Sequence, residues 1–240
     1  MKTKVDMRSL EAQALTRRKG APESFESEAQ LVEALKKCIR RANLREWTTD
    51  LEVDAGVGIA DIVLSKRNQK TTRELQRLAS VPTRLAPLLA PSTSSKIRSS
   101  EEMAAALGTS SAAATRVLSM FKRIGLLRPN AKRIEIAAVE KVPFNTIIAV
   151  EAKLSDWPRA LAQAYRNKQF ADQSWVVLDH SYHRAALKNL SKFSQSGVGL
   201  VSIDRNSGLF VHLDPCGGET STIKRWVAQA ALAKRAVRKH

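Results

Sequence analysis

The chain has 240 residues, 43% hydrophobic and 26% charged, enough for a real core and for one large or two small domains. Lys and Arg number 40 against 23 Asp and Glu, a formal net charge of +17 with a pI near 10.3, which favours a polyanion such as nucleic acid over its rival, an anionic membrane surface. No apolar run reaches spanning length, no signal-type segment opens the chain, aromatics at 5% are too few for a base-stacking surface, and Cys38 and Cys216 form no CxxC pair, so neither a zinc site nor a disulfide scaffold is expected and a cytoplasmic setting fits.

Residues 1–24 are polar and basic, with Arg17, Arg18 and Lys19 before Pro22, and read as a flexible or loosely helical arm. Ser27 to Arg41 predicts a helix. Ser27 and Gln30 have capping-box spacing, and Leu31, Leu35, Cys38 and Ala42 form one stripe. Glu28 falls on that apolar side and Glu33 points away; the positive end of the helix dipole is an alternative reason for an acid at position 28. Thr49 to Asp54 and Ile59 to Leu64 predict a hairpin turned at Gly56 and Gly58. Asp61 sits within its second, apolar strand. Asp is a poor strand former, so either a function or a water-facing edge should require it there.

From Arg67 to Glu140 alternation gives way to short helices. Ser99 to Gly108 is a capped helix stopped by glycine; Thr109, Ser110 and Ser111 cap a second helix that runs to about Ile124, and Gly125 stops it. Leu126-Leu127, then Arg128-Pro129-Asn130, then Arg133 to Ile136 predict strand, turn and strand. Helix, three-residue turn, helix and β-wing resemble a winged helix-turn-helix domain. The resemblance makes the second helix the reading helix, with Ser110, Ser111, Ala113, Thr115 and Arg116 towards a DNA groove. Lys122 and Arg123, with Lys132 and Arg133 on the wing, would lie near phosphate. Winged helices also serve as protein-binding modules; the basic excess favours duplex DNA.

Phe144 to Leu154 predicts an apolar strand that ends Glu151-Ala152-Lys153. Side chains alternate along a strand, so Glu151 and Lys153 emerge together with Ala152 opposite. Such a pair suits a metal-dependent phosphodiesterase: a carboxylate holds Mg²⁺ and an ammonium orients water or offsets charge on phosphate. A plain surface strand can also end this way. Asp156 and Pro158 open a helix, Ser174 to Asp179 is a strand, His183 to Phe193 a helix, and Gly199 to Asp204 and Leu209 to Leu213 are strands around a turn at Asn206-Ser207-Gly208. Ile223 to Lys239 is a terminal amphipathic helix whose charges are all positive, with Ile223, Val227, Ala231 and Leu232 expected inward; such a helix can dock on a core, touch phosphate or lie on a membrane.

The order of these pieces resembles the PD-(D/E)XK, or restriction-endonuclease-like, nuclease superfamily. Asp61 matches its metal-binding Asp, Glu151-Ala152-Lys153 its (D/E)XK element, Glu28 the acid on the first core helix, and Gln163 a glutamine frequent on the helix after the lysine strand. Ala60 stands where the motif has Pro, and 90 residues part Asp61 from Glu151. The resemblance implies an α/β mixed sheet flanked by helices over 25–66 and 142–240, interrupted by the winged helix at 67–141. It implies Mg²⁺, with Mn²⁺ as substitute, held by Asp61, Glu151 and the Ala152 carbonyl, and Lys153 beside it to position or help deprotonate water. His180, His183, His212 and His240 show no ligand spacing with an acid, which disfavours a histidine-metal nuclease, and no glycine-rich phosphate loop suggests an NTPase. The expected function is Mg²⁺-dependent endonucleolytic cleavage of duplex DNA, by a homodimer or with partner proteins of a larger DNA-processing system. The alternative is a DNA-binding regulator or structural factor whose nuclease-like core does no chemistry.

Overall fold

The computed structural model describes residues 23–42, 46–128, 133–206, 208–218 and 220–239. The expected arm up to residue 22, the tip of the wing with Lys132, and His240 lie outside the described residues. Among the described residues two compact units form: one from 23–67 together with 146–221, the other from 68–145 together with 222–239.

The first unit is built on α1 (Glu28–Arg41), β1 (Trp47–Asp54), β2 (Ile59–Arg67), β3 (Phe144–Lys153), α6 (Trp157–Asn167), β4 (Gln173–Asp179), α7 (Arg184–Leu187), α8 (Leu190–Ser196), β5 (Gly199–Asp204) and β6 (Gly208–Leu213). The six strands lie in the order β1-β2-β3-β4-β5-β6. β3, β4 and β5 run parallel, while β1 pairs β2 and β6 pairs β5 antiparallel, so the sheet is mixed. Both faces are apolar because both are covered, as expected of strands buried on two sides. On one face Leu31, Leu35 and Ile39 of α1 meet Ile148, Val150, Ala152, Trp175 and Val177. On the other, Ala160 and Ala164 of α6 and Phe193 of α8 meet Val176, Leu178 and Leu200. Each fully buried Leu or Ile contributes about 2 kcal/mol. A Cβ at Gly199 would stand 2.3 Å from the Trp175 ring, its partner across the β4–β5 pair, so only glycine lets the indole lie flat on the sheet.

Local chemistry sets the boundaries. Ser27 caps α1 by accepting from the Gln30 amide, but the Gln30 side chain accepts from the Glu26 amide rather than closing the expected reciprocal box. Ile39, not Ala42, continues the buried stripe, and Cys38 is half-buried. The span expected as one helix from His183 to Phe193 is two short helices broken at Lys188-Asn189.

The second unit contains α2 (Thr72–Ser80), a 3₁₀ segment (Thr83–Leu89), α3 (Pro91–Ser94), α4 (Ser100–Leu107), α5 (Ser111–Arg123) and α9 (Thr222–Arg238). Gly108 ends α4 in the left-handed region at φ 59°, and the Thr109 amide returns to the Ala104 carbonyl, a Schellman closure that starts the turn into α5. After α5, where a wing is expected, the described residues form one antiparallel bridge, Leu127 to Ile136, flanked by the Arg128–Glu135 and Ala137–Leu126 backbone bonds. The Asn68 amide donates to the Pro143 carbonyl at 2.7 Å, so the ends of this span meet. The terminal helix, expected with the nuclease-like core, packs instead on α2 and the 3₁₀ segment. Its register also differs from expectation. Ile223 is 61% exposed, Val227 and Ala231 are half-buried, and Trp226, Ala230 and Leu232 turn inward with Gln229. The Gln229 amide accepts from the Phe144 N–H and donates to its carbonyl, satisfying both backbone groups. Among the described residues no helix is long and apolar enough to cross a membrane.

Candidate active site

Four of the expected residues come together at one end of the sheet. Strand alternation turns Ala152 into the α1-side core and Glu151 to the other face, where it meets α6. β2 is the sheet neighbour of β3, and Asp61 fastens the two: its Oδ2 accepts the Ala152 amide at 2.8 Å. This explains an aspartate within an apolar strand. The Lys153 ammonium donates to Glu28 Oε2 at 3.0 Å and lies 3.5 Å from Asp61 Oδ2. Glu28 is therefore not a core acid. Its side chain is half exposed, in the first turn of α1, where the dipole also favours it.

Glu151 is fully buried. Its Oε1 accepts from Asn167 Nδ2 at 2.6 Å, whereas Oε2 has no hydrogen-bond partner among the described residues. Burial, then the Asp61 charge and a hydrogen bond shared with Asp61, push its carboxyl up to about 8; the Asn167 bond and the Lys153 charge pull it back without cancelling the rise. Burial pulls Lys153 down, but the Glu28 hydrogen bond and the charges of Asp61, Glu28 and Glu151 more than offset it, so the ammonium is held above its ordinary value. Lys153 is thus a cation, and Glu151 is a carboxyl that ionises readily only beside an added positive charge.

Asn167, missed in the sequence, stands four residues after Gln163 on the same face of α6; that spacing was the available signal. Among the described residues Gln163 makes no hydrogen bond to the acids, and its Oε1 is buried without a partner. The Ala152 carbonyl, expected as a metal ligand, accepts from Lys153 Nζ at 3.0 Å, leaving one lone pair. A surface groove passes the cluster, lined by Glu28, Glu52, Asp61 and Ala152. Within it Glu52 has φ 50°, an uncommon conformation for a non-glycine residue.

A hard cation such as Mg²⁺ takes oxygen ligands, and Asp61 and Glu151 Oε2 are the oxygens here that could hold one. The residues expected to face DNA form no comparable cluster among the described residues. Ser110 is the N-cap of α5, its hydroxyl accepting from the Ala113 amide, and the Thr115 hydroxyl donates to the Ser111 carbonyl. Ser111, Arg116, Lys122 and Arg123 are exposed along α5, and Arg133 is exposed on the ribbon. Three histidines scattered in sequence, His180, His183 and His212, do gather, away from any acid-lysine contact described above. No protein-family model, curated protein or solved structure gives a significant match to the chain.

Proposed function

We propose that the chain is a Mg²⁺-dependent DNA endonuclease of the PD-(D/E)XK kind, with the 68–145 unit, read as a winged helix, seating it on duplex DNA. The observation that carries this is Glu151: a fully buried carboxyl with one unpartnered oxygen, electrostatically coupled to Asp61 and set two residues before a cationic lysine. Burial and the neighbouring Asp61 both oppose ionisation of this carboxyl, so a bound cation is what would favour its charged form, as at a metal-binding acid.

In this reading Asp61 and Glu151 hold the cation, and Asn167 fixes the Glu151 carboxylate through Oε1 so that Oε2 is the free ligand atom. Bound Mg²⁺ would acidify a coordinated water and neutralise charge on the phosphate. Lys153, held protonated, is a donor rather than a base. It orients the attacking water or stabilises charge on the phosphoryl oxygens, and Glu28 and Asp61 hold it there. The net charge of +17, with Arg116, Lys122, Arg123 and Arg133 exposed on the second unit, draws DNA to the protein.

One observation favours a second reading. Lys153 alone already pairs with Glu28 and Asp61, so the cluster is partly neutralised without metal, as a non-catalytic DNA-binding core would need. Plasmid nicking with Mg²⁺, with EDTA as control, separates the two. The parent should nick; Glu151→Ala and Lys153→Ala should lose nicking by at least a hundredfold while keeping DNA affinity within about threefold. A parent that cuts no DNA form with Mg²⁺ or Mn²⁺ leaves the regulator reading.

A further inference from the structure

The proposed chemistry leaves the histidine cluster unused. His180 and His183 follow the end of β4, and the His180 amide extends the ladder by donating to the Ile203 carbonyl of β5. His212 lies on β6, the antiparallel neighbour of β5. The β5–β6 register shifts between Leu200, paired with Leu213, and Val201, paired with Val211. His212 is therefore the extra residue of a β-bulge, a device that re-aims one side chain out of simple alternation. One ring nitrogen from each histidine lies within 4.8 Å of the other two.

The surroundings leave each ring one engaged nitrogen. His180 Nδ1 and His212 Nε2 both bond the hydroxyl of Ser202, each at 2.7 Å, and Ser202 is fully buried. His183 Nδ1 bonds the His180 carbonyl. A hydroxyl oxygen has two acceptor sites, so both rings can donate to it, and the carbonyl orients the third. The carbonyl leaves the His183 lone pair on Nε2, and in the tautomers that donate to Ser202 the other lone pairs stand on His180 Nε2 and His212 Nδ1. Metal-ligating histidines are held this way, by giving their other N–H to a hydroxyl, carbonyl or carboxylate. His180 and His212 are half-buried and His183 is 9% exposed, so the rings are largely shielded from bulk solvent.

We propose that His180, His183 and His212 form a second metal site, for a divalent cation of the zinc class, with the fourth position left to water. Three neutral imidazoles suit Zn²⁺ and its transition-metal neighbours, whereas Mg²⁺ prefers oxygen. The site is thus distinct in kind from the Asp61–Glu151 pair. In the metal-free arrangement the rings are stacked, His180 on His183 at 4.1 Å and His183 beside His212 at 5.0 Å between centroids. Tetrahedral bonds of about 2.0–2.1 Å place ligand nitrogens about 3.3 Å apart, so binding draws the rings out of the stack and inward. The ion would tie β6 to the segment that leaves β4. This site, not a cysteine site, is where zinc belongs in this chain.

The test is titration of the full metal-free chain with Zn²⁺, in excess Mg²⁺ to occupy the acidic site, followed by calorimetry and thermal melting. Co²⁺ substitution then reads the ligand type from its visible spectrum. The parent should take up one equivalent of Zn²⁺, melt at a higher temperature with it, and show tetrahedral Co²⁺ bands without thiolate charge-transfer bands. His183→Ala and, separately, His212→Gln should each lower Zn²⁺ affinity at least tenfold and remove the melting shift, while melting like the parent without metal. A parent that binds no Zn²⁺, variants that bind it as the parent does, or thiolate bands from Cys38 or Cys216 would overturn the site. Should either variant fail to fold, the stoichiometry and Co²⁺ spectrum of the parent still decide.

Discussion

Replacing Glu151 by glutamine should stabilise the metal-free protein, and the gain should depend on pH. The carboxyl ordinarily titrates at 4.5 and is pushed up to about 8 in the folded chain. Its folded value is raised, so its favourable contribution is complete below pH 4.5 and is lost as pH rises through 8. At pH 7 the unfolded carboxyl has shed its proton while the folded one retains it, and folding must restore that proton at a cost of about 3 kcal/mol. At pH 5 the same difference is about 1 kcal/mol. Glutamine has the same shape, still offers an oxygen to Asn167 Nδ2, and carries no such cost. In EDTA, Glu151→Gln should therefore melt roughly 6–12 °C above the parent at pH 7 and about 2–4 °C above it at pH 5. Mg²⁺ should narrow the gap by stabilising only the parent, because the cation binds the carboxylate and not the amide. Thermal melts of both proteins at the two pH values, with and without Mg²⁺, measure all of this. A gain that is equal at pH 5 and pH 7, or a variant that melts below the parent at both, would refute the reasoning.

Asn167→Ala removes the donor that favours ionised Glu151, so the pH dependence of nicking should move to higher pH and the apparent Mg²⁺ affinity at pH 7 should fall severalfold; a pH–rate profile superposing on the parent's would deny Asn167 that role. Gly199→Ala drives a methyl into the Trp175 ring and should cost about 1–3 kcal/mol or more in a urea unfolding titration, with Trp175 fluorescence as probe; an unchanged midpoint would show that the indole shifts freely. Arg116→Ala should reduce discrimination among DNA sequences more than Arg133→Ala, because an α5 residue can reach base edges and a ribbon residue meets mostly backbone. Equal, sequence-independent losses in a binding assay would mean that α5 is not the reading helix.

Elements that rest on local chemistry were legible in the sequence. Ser27, Ser110 and Gly108 mark their helix ends by side-chain oxygens and a left-handed φ, which need no tertiary partner. The hairpin of β1 and β2 and the Glu151-Ala152-Lys153 strand end were readable for the same reason. What escaped depended on contacts distant in sequence. Nothing near Ile223 tells that α9 turns Trp226 and Gln229 inward, because the face is chosen by α2 and the 3₁₀ segment far earlier in the chain. The dipeptide Lys188-Asn189 gave no glycine or proline to announce a break between α7 and α8. Asn167 was hidden because asparagine near a helix end usually reads as a cap. The histidines looked isolated because a bulge and two strand crossings, not spacing, bring them together.

The placement of α9 has a consequence for synthesis. A ribosome releases residues 68–145 well before residues 222–238, with the remaining strands of the first unit made in between. Until α9 emerges, the leucines of α2 and of the 3₁₀ segment lack the wall against which they pack, and both backbone groups of Phe144 lack the Gln229 amide. The nascent second unit is therefore an incomplete core that waits, exposed, for its final piece. The side chains of the acid-lysine cluster lie between residues 28 and 167, and β4, which pairs with their strand, also leaves the ribosome before α9. A chain halted at residue 221 would retain every group of that cluster and lose the wall of the unit expected to grip DNA.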